Sequence, residues 1–346
     1  MVGYVAWPRP HRPDGTRKVF GRVMESMRPG LPVTGQPVTG QPITGQPITG
    51  LSIAIVGPGR AGAAVGRALV TAGHQVRAIH SRTQAGRERA AALFPAAEIC
   101  VTPAQAAALA DVVLLGVPDD SIEQTAARIA PGVARTAAVL VAHLSGRHGI
   151  APLAPAAAVG ARPAAIHPIM TLTGAATDPD RLVGATFGVT TAPGDEDTAG
   201  LVRRLVEGIG GRVAVIPEEQ RASYHAALVL GGNFLATLVT AAGQLLAAAG
   251  VPDPAQALGP LLRMSLDNAL AHGEDAMTGP VRRGDVGTVT AQWSELTRRD
   301  PHLADAYGAL AVLTADRLER SGLLPARTAA ALRAGVARPD DSPHGP

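Results

Sequence analysis

Residues 51–62 read Leu-Ser-Ile-Ala-Ile-Val-Gly-Pro-Gly-Arg-Ala-Gly, and the fold class follows from them. They begin as an apolar, β-rich run, and a helical pattern rich in alanine and valine starts directly after the last glycine. Between a strand and a helix, the spacing Gly-x-Gly-x-x-Gly is typical of dinucleotide-binding sites. Gly57 would make the tight turn, Gly59 would let the backbone approach a pyrophosphate, and Gly62 would let the helix pack on the strand.

The strand after this motif predicts which dinucleotide is bound. Gln75–His80 ends in Ser81-Arg82-Thr83, without the acidic residue that would hold the ribose hydroxyls of NAD. One cation and two hydroxyls suit the 2′-phosphate of NADP, so NADP is predicted and NAD is the less favoured alternative. The predicted cofactor-binding residues are Gly57, Gly59, Arg60, Ala61, Gly62, Ser81, Arg82, Thr83, Val117 and Pro118.

Strand-like runs and helical patterns alternate up to residue 216. After the first two strands, the predicted strands are residues 97–101, 111–117, 137–142, 164–168, 186–191 and 212–216. This alternation predicts an α/β fold with an N-terminal Rossmann-type, doubly wound sheet. Because the carboxyl ends of parallel strands share one edge of a sheet, we expect Gly57, Ser81, Val117, Pro118 and residues 143–145 to face one crevice.

From Pro217 onward the pattern is helical, which predicts an all-helical C-terminal domain. The predicted helices are residues 218–250, 254–272, 285–298 and 302–321, with a loop over 278–285. The predicted divisions are a disordered arm with Thr-Gly-Gln-Pro repeats (1–50), a dinucleotide-binding domain (51–217), a helical substrate and dimerisation domain (218–336) and a disordered tail (337–346).

The first of these helices has no charged residue between Arg221 and Asp253, and that length could span a bilayer. Its polar residues His225, Asn233 and Gln244, and the lack of a flanking aromatic belt, favour a buried or interface helix instead. The helix is apolar on nearly every face, and one small helical domain would leave part of that surface exposed. The sequence therefore predicts a homodimer and no membrane association.

Composition excludes several classes of protein. Hydrophobic residues make up 46% of the chain, enough for a core built from alanine, valine and leucine. The first fifty residues carry six basic residues against two acidic ones, so the rest is near neutral and predicts no nucleic-acid partner. The single cysteine, Cys100, excludes an internal disulfide, and the histidine spacing predicts no metal site. A reducing, cytoplasmic location is therefore permitted.

Four motifs carry a resemblance to a known family. They are His143-Leu-Ser-Gly146, His167-Pro168, Tyr224-His225 with Asn233-Phe234, and Thr278-Gly-Pro-Val-Arg-Arg-Gly-Asp285 with Thr288-Val289. Together with the glycine motif they resemble the 6-phosphogluconate dehydrogenase-like superfamily, which includes pyrroline-5-carboxylate reductase, ketopantoate reductase and prephenate dehydrogenase. Over about residues 51–325 the chain is more closely similar to a bacterial family in which a Rossmann-like domain precedes a domain of unknown function, DUF2520.

The resemblance implies a reductase, but the only lysine, Lys18, lies in the predicted arm. Ketopantoate reductases rely on a lysine near the reacting carbon, so another group would have to move the proton here. His167 is the first candidate, because its His-Pro segment resembles one in prephenate dehydrogenases where a histidine contacts the substrate hydroxyl. An imidazole with a pKa near its ordinary value of about 6.5 can donate or accept a proton. A core histidine at a strand end is the alternative.

Further residues complete the predicted site. Ser145 follows a strand at the same edge, and Asn233 is costly in an apolar helix unless it is hydrogen-bonded, so both are predicted catalytic residues. On an ideal helix His225 lies within about 80° of Asn233, whereas Tyr224 faces away. The predicted substrate-binding residues are His143, His225, Arg282 and Arg283, and in pyrroline-5-carboxylate reductases a similarly placed loop holds the substrate carboxylate. Structural roles as caps or solvated charges are the alternatives.

The sequence thus predicts an NADP-dependent oxidoreductase that transfers a hydride to or from a small oxo or imino carboxylic acid, with His167 as acid and base. A non-catalytic NADP-binding sensor or regulatory protein is the alternative from a different class. A membrane-associated protein, anchored through residues 226–250, is a third possibility.

Overall fold

The computed structural model describes residues 48–136 and 139–337. Within them the chain forms two compact units, which divide after Ala236. The predicted arm, apart from its last three residues, and the predicted tail from Arg338 onward lie outside the described residues. The division lies inside the long helical segment because the first helical turns after Pro217 pack with the sheet of the first unit.

The first unit is built on an eight-stranded sheet. Its strands are β1 Ser52–Val56, β2 Gln75–His80, β3 Glu98–Ile99, β4 Val112–Leu115, β5 Leu140–His143, β6 Arg162–Pro168, β7 Thr186–Thr191 and β8 Arg212–Val215. They lie in the order β3-β2-β1-β4-β5-β6-β7-β8. The first six are parallel, β7 is antiparallel to β6, and β8 is parallel to β7. The predicted α/β fold with a Rossmann-type sheet is confirmed.

Helices connect these strands and pack on both faces of the sheet. They are α1 Arg60–Thr71, α2 Gln84–Leu93, α3 Pro103–Ala107, α4 Ile122–Val133, α5 Ala154–Ala157, α6 Asp178–Arg181, α7 Glu196–Gly208 and α8 Arg221–Leu228. Short 3-10 turns precede α4, α5 and α8, at Asp119–Ser121, Ala151–Leu153 and Glu218–Gln220.

An apolar cluster covers each face of the sheet. All four residues of β4 are buried, and its alternate side chains point to opposite faces. Val112 and Leu114 therefore belong to one cluster, and Val113 and Leu115 belong to the other. A strand that is buried on both faces reads as a continuous apolar run, which is why the central strands could be recognised in the sequence.

The second unit is helical over its described residues, which end at Ala337, and the predicted helical C-terminal region is confirmed. After a π-helical turn at Val229–Asn233, the helices are α9 Phe234–Ala248, α10 Pro254–His272, α11 Gly279–Arg283, α12 Val286–Arg299, α13 Pro301–Arg320 and α14 Ala326–Gly335. The core of this unit is small, with Val289, Ala315, Leu318 and Leu332 at its centre.

Three local features differ from the expectations. The predicted continuous helix over 218–250 is interrupted by the π-helical turn. The predicted loop over 278–285 contains α11, which ends where Gly284 adopts a φ of +69°. The last helix, α14, was not predicted, because its stability comes from burying Ala329 and Leu332 rather than from a strong periodic pattern.

We predict that Phe187→Ala lowers the free energy of unfolding by about 3–5 kcal/mol, because it leaves a cavity in the larger apolar cluster. Phe187 is fully buried in β7, and its ring lies against Gly211. Urea unfolding measures the loss, with Val101→Ala as the control because Val101 is 83% exposed. Similar losses for both variants would contradict the burial of Phe187.

Candidate functional site

A cleft of about 190 Å³ lies at the carboxyl ends of β1, β2 and β4. Predicted cofactor-binding residues that line it are Gly57, Gly59, Ser81, Arg82, Thr83, Val117 and Pro118. The others, Arg60, Ala61 and Gly62, form the first turn of α1 and lie outside the lining. Residues 143–145, which we expected to face the same crevice, do not line it either.

Gly57 makes the sharp turn from β1 toward α1. Its φ is +85°, and a Cβ at this position would lie only 2.9 Å from the carbonyl oxygen of Gly116, so another residue would be strained here. Gly59 is the N-cap of α1 and has no side chain to cap the helix. The first N–H groups of α1 therefore remain open to an anionic ligand, as in a pyrophosphate-binding turn.

Three arginines give the cleft its positive charge. Arg82 follows β2, Arg89 lies on α2 and Arg128 lies on α4, and all three side chains are exposed at the lining. None of the lining residues is acidic. Thr83 accepts a hydrogen bond from the N–H of Gly86 at 3.1 Å and caps α2 beside them. Arg89 and Arg128 were not predicted from the sequence. The only indication of a role was that each is a basic residue on the helix after a strand that ends at the cleft, β2 for Arg89 and β4 for Arg128.

His143, at the end of β5, is fully buried. Its Nε2 lies 2.6 Å from the carbonyl oxygen of Gly149, and its Nδ1 accepts a hydrogen bond from the N–H of Ser145 at 3.2 Å. Burial lowers the pKa of His143 to about 4, so the ring is neutral and donates through Nε2. Both ring nitrogens are thus bonded to backbone, which favours a structural role, and substrate binding by His143 stays a prediction.

Ser145 shapes the turn that follows β5. Its Oγ accepts hydrogen bonds from the N–H groups of Arg147 at 3.2 Å and His148 at 3.3 Å, and the side chain is nearly buried. The hydroxyl proton is still able to donate to another group. A catalytic role for Ser145 therefore stays a prediction.

His167, in β6, contacts Tyr224 of α8. The Nδ1 of His167 and the hydroxyl oxygen of Tyr224 are 2.8 Å apart, and the rings meet edge to face with centroids 5.8 Å apart. Burial, with a smaller effect from the charge of Arg221, lowers the pKa of His167 to about 4. The expectation of a pKa near 6.5 is corrected, and the ring is neutral at physiological pH. No role for Tyr224 was predicted from the sequence, although it precedes His225 directly in the motif.

Arg221, at the start of α8, is only 2% exposed. Its Nε donates to Thr190 Oγ1 at 2.8 Å, and its Nη2 donates to the carbonyl oxygens of Gly188 at 3.1 Å and Ala165 at 3.3 Å. Among the described residues its Nη1 has no hydrogen-bond partner, and no carboxylate forms an ion pair with it. The guanidinium lies 5.5 Å from the centre of the Tyr224 ring, within the range of a cation–π contact. Sequence reasoning had assigned Arg221 no function.

His225 and Gly146 complete this polar cluster. The rings of His225 and His167 meet edge to face with centroids 6.4 Å apart. A Cβ on Gly146 would lie 2.9 Å from His225 Cδ2 and 3.0 Å from His167 Nε2, so a larger residue would push the histidines away. Three of the four sequence motifs therefore contribute a residue to this polar cluster.

The other three predicted residues, Asn233, Arg282 and Arg283, lie on later helical elements. Asn233 is exposed at the end of the π-helical turn, where the 100° spacing of an ideal helix no longer relates it to His225. Arg282 donates from Nη1 to the carbonyl oxygen of Leu323 at 2.8 Å within the second unit, and Arg283 is exposed in the last turn of α11. No group of metal-ligating side chains was found among the described residues.

Comparisons with known proteins agree with the two-part resemblance. Residues 38–168 match the family of Rossmann-like domains, and residues 185–314 match DUF2520, a domain of unknown function. The resemblance to a Rossmann-like domain followed by DUF2520 is thereby confirmed. No curated protein matches the chain in sequence.

Several solved structures have a similar fold. A predicted NADP oxidoreductase from Bacteroides fragilis is 20% identical with a TM-score of 0.64, and the match covers 77% of this chain and 98% of that one. A protein from Thermotoga maritima is 22% identical with a TM-score of 0.58, covering 78% and 99%. A pyrroline carboxylate reductase from Plasmodium falciparum, with NADP bound, is 11% identical with a TM-score of 0.50, covering 83% and 98%.

We predict that Arg82→Ala weakens NADPH binding by about 1.5–3 kcal/mol and leaves NADH binding nearly unchanged, because it removes a cation that would face the 2′-phosphate. Titration calorimetry with each cofactor measures the difference. Arg298→Ala is the control, since its side chain is 73% exposed and paired with Glu295. Equal losses for the two cofactors would assign Arg82 another role.

We also predict that the protein loses stability as the pH falls from about 6.5 to about 4, because native His143 and His167 stay neutral in a range where the unfolded chain binds protons. At about 1.4 kcal/mol for each pH unit, His143 alone accounts for up to about 3 kcal/mol. Urea unfolding at about pH 7.5 and about pH 5 tests this. His143→Gln should reduce the pH dependence, and the exposed His302→Gln should not; an equal slope in all three proteins would overturn the prediction.

Proposed function

We propose that this chain, which joins a Rossmann-like domain to a DUF2520 domain, is an NADP-dependent oxidoreductase acting on a small oxo or imino carboxylic acid in the cytoplasm. The observation that carries the proposal is the cleft beside Gly57, with its bare glycine turn, three arginines and no acidic lining residue. When bound there, NADPH would supply the hydride.

The lining residues fit NADP. The open N–H groups at the start of α1 suit a pyrophosphate, and Arg82, with Arg89 close by in the same cleft, suits a 2′-phosphate. NAD would lack the carboxylate that ordinarily holds its ribose hydroxyls. The Plasmodium reductase, which has a similar fold, holds NADP. NADP is therefore our proposed cofactor, and NAD stays the less favoured alternative.

The cluster around His167 is our proposed place of chemistry. Strand β4 ends at the cleft, and β6, which carries His167, is the second strand from β4 in the sheet. The cluster therefore lies two strands away from the cleft, at the same edge of the sheet. The described residues contain no lysine, so the groups that could move a proton there include His167, Tyr224, Ser145 and solvent. Ser145 and Asn233 remain proposed catalytic residues. The proposed substrate-binding residues are His143, His225, Arg282 and Arg283.

Binding and turnover together test this function. NADPH should bind more tightly than NADH, and NADPH oxidation should appear with a panel of small 2-oxo acids and cyclic imino acids. Failure to bind either cofactor would remove the proposal. Tight NADPH binding without turnover on any member of the panel would favour the alternative, a non-catalytic sensor or regulatory protein.

We further propose that the protein is a homodimer held through its exposed apolar helix. The helix over residues 218–248 is long enough and apolar enough to span a membrane. Its most apolar window of 18 residues has a mean hydropathy of 1.6, and none of that window is buried within one chain. The start of this segment packs with the sheet through Arg221 and Tyr224, so the apolar surface that a partner could cover is the exposed part from Leu230 onward. A second copy of the chain, not a lipid bilayer, is the occupant we propose.

Close pairing of two such helices requires small residues. A side chain at Gly231 or Gly232 would meet nothing within 4 Å of its Cβ, and Leu230 and Phe234 beside them are 64% and 52% exposed. Gly232→Leu should therefore leave the fold of one chain intact while obstructing the interface. If the protein were membrane-associated, lipid rather than a second chain would cover this apolar surface.

We predict a mass in light scattering near twice 35.1 kDa, and a shift toward that of one chain in Gly232→Leu. Gly208→Leu is the matched control, since its Cβ also meets nothing within 4 Å but lies on α7. A monodisperse monomer with full cofactor binding would contradict the dimer. A requirement for detergent would favour the membrane alternative.

A further inference from the structure

The hydroxyl of Tyr224 has one hydrogen-bond partner among the described residues, Nδ1 of His167 at 2.8 Å. The other side of the phenol is closed by β7, since a Cβ on Gly188 would lie 2.4 Å from the hydroxyl oxygen. Tyr224 is therefore wedged between β7 and the imidazole. Its hydroxyl faces His167 rather than an open cavity.

This packing indicates which group donates. If Nδ1 of His167 carried the proton, the hydroxyl proton of Tyr224 would have no acceptor in the described part of the chain. Leaving a half-buried donor without a hydrogen bond costs free energy. If Tyr224 donates instead, one hydrogen bond satisfies both groups. The imidazole proton then sits on Nε2, because the tautomer of a neutral histidine follows from the bond that its other nitrogen makes.

Arg221 also affects the protonation of the His167 ring. Its buried guanidinium lies against the Tyr224 ring, and both burial and this charge disfavour a protonated His167. The imidazole is thereby kept neutral at physiological pH, with one donor and one acceptor nitrogen.

The donor nitrogen lies on the accessible side of the cluster. Nε2 of His167 lies next to Gly146 and to the edge of His225, it has no partner among the described residues, and it is not sealed from solvent. A neutral N–H group at this point can pair only with an acceptor atom. A carbonyl oxygen is such an atom, whereas the N–H of a protonated imine is itself a donor.

Building on the function proposed above, we propose that Tyr224 is a positioning residue that fixes His167 as the Nε2–H tautomer, so that the site takes the carbonyl oxygen of a 2-oxo acid rather than a protonated imine. In the reduction, the carbonyl carbon receives the hydride and forms a C–H bond, while the C=O π electrons move to oxygen. His167 hydrogen-bonds that developing oxyanion through Nε2. A water molecule supplies the proton to the oxygen and leaves as hydroxide, and NADPH is oxidised to NADP⁺.

Nitrogen-15 NMR of the histidines in the full-length protein tests the tautomer without any substrate. The resonances of His167 are identified by their loss in His167→Gln. At neutral pH we expect a protonated Nε2 and an Nδ1 shifted by an accepted hydrogen bond, and Tyr224→Phe should abolish that shift. Tyr307→Phe is the matched control, because this tyrosine bonds to Gln292 in the second unit. A protonated Nδ1 in the unmodified protein, or an unchanged Nδ1 shift in Tyr224→Phe, would overturn the positioning role.

Kinetics test the substrate class. With NADPH and a series of 2-oxo acids, Tyr224→Phe should lower kcat about tenfold through lost orientation, while the NADPH Kd stays unchanged. The unmodified protein should prefer 2-oxo acids over cyclic imino acids of the same size near neutral pH. Preference for the imino acids, or turnover of neither class, would overturn the substrate part of the proposal. Failure to bind NADPH would instead remove the proposed function, and the NMR result on Tyr224 would stand independently.

Discussion

The guanidinium of Arg221 joins the start of α8 to β6 and β7, and the polar cluster depends on this buried cation. Its bonds to the carbonyl oxygens of Ala165 and Gly188 bridge β6 and β7, which pair antiparallel. Burying a charge without a carboxylate partner is costly, and one nitrogen of the guanidinium has no hydrogen-bond partner among the described residues. Arg221 therefore occupies a position that is costly for stability, and it lies next to the residues of the proposed site.

The sheet edge explains why the two parts of the site lie where they do. Strands β1, β2, β4, β5 and β6 are parallel, so their carboxyl ends meet at one edge of the sheet. The cleft occupies the part of this edge around β1, and the histidines follow toward β6. His143 lies between them and is bonded to backbone through both ring nitrogens, so it holds the intervening loop in place.

The scarcity of lysine changes which groups can carry proton chemistry. A lysine is a mobile cation that can reach a reacting atom, whereas Arg221 is locked beneath the cluster and cannot leave it. Its charge acts on neighbouring groups instead, by opposing protonation of His167 and by facing the Tyr224 ring. The fold thus places a cation behind the proposed site residues rather than among them.

Strand and helix positions could be read from the sequence where local patterns are strong. The predicted strands at Gln75–His80 and Thr186–Thr191 have the bounds found in the structure, and so does the helix Pro254–His272, because apolar periodicity and turn residues act over short distances. The glycine motif likewise indicated the turn at Gly57, since few other sequences make it. The pairing of His167 with Tyr224, the burial of Arg221 and the interruption at Val229–Asn233 could not be read in this way. Each depends on side chains brought together from distant parts of the chain, or on a local departure from the ideal helix, and neither leaves a periodic signal in the residues.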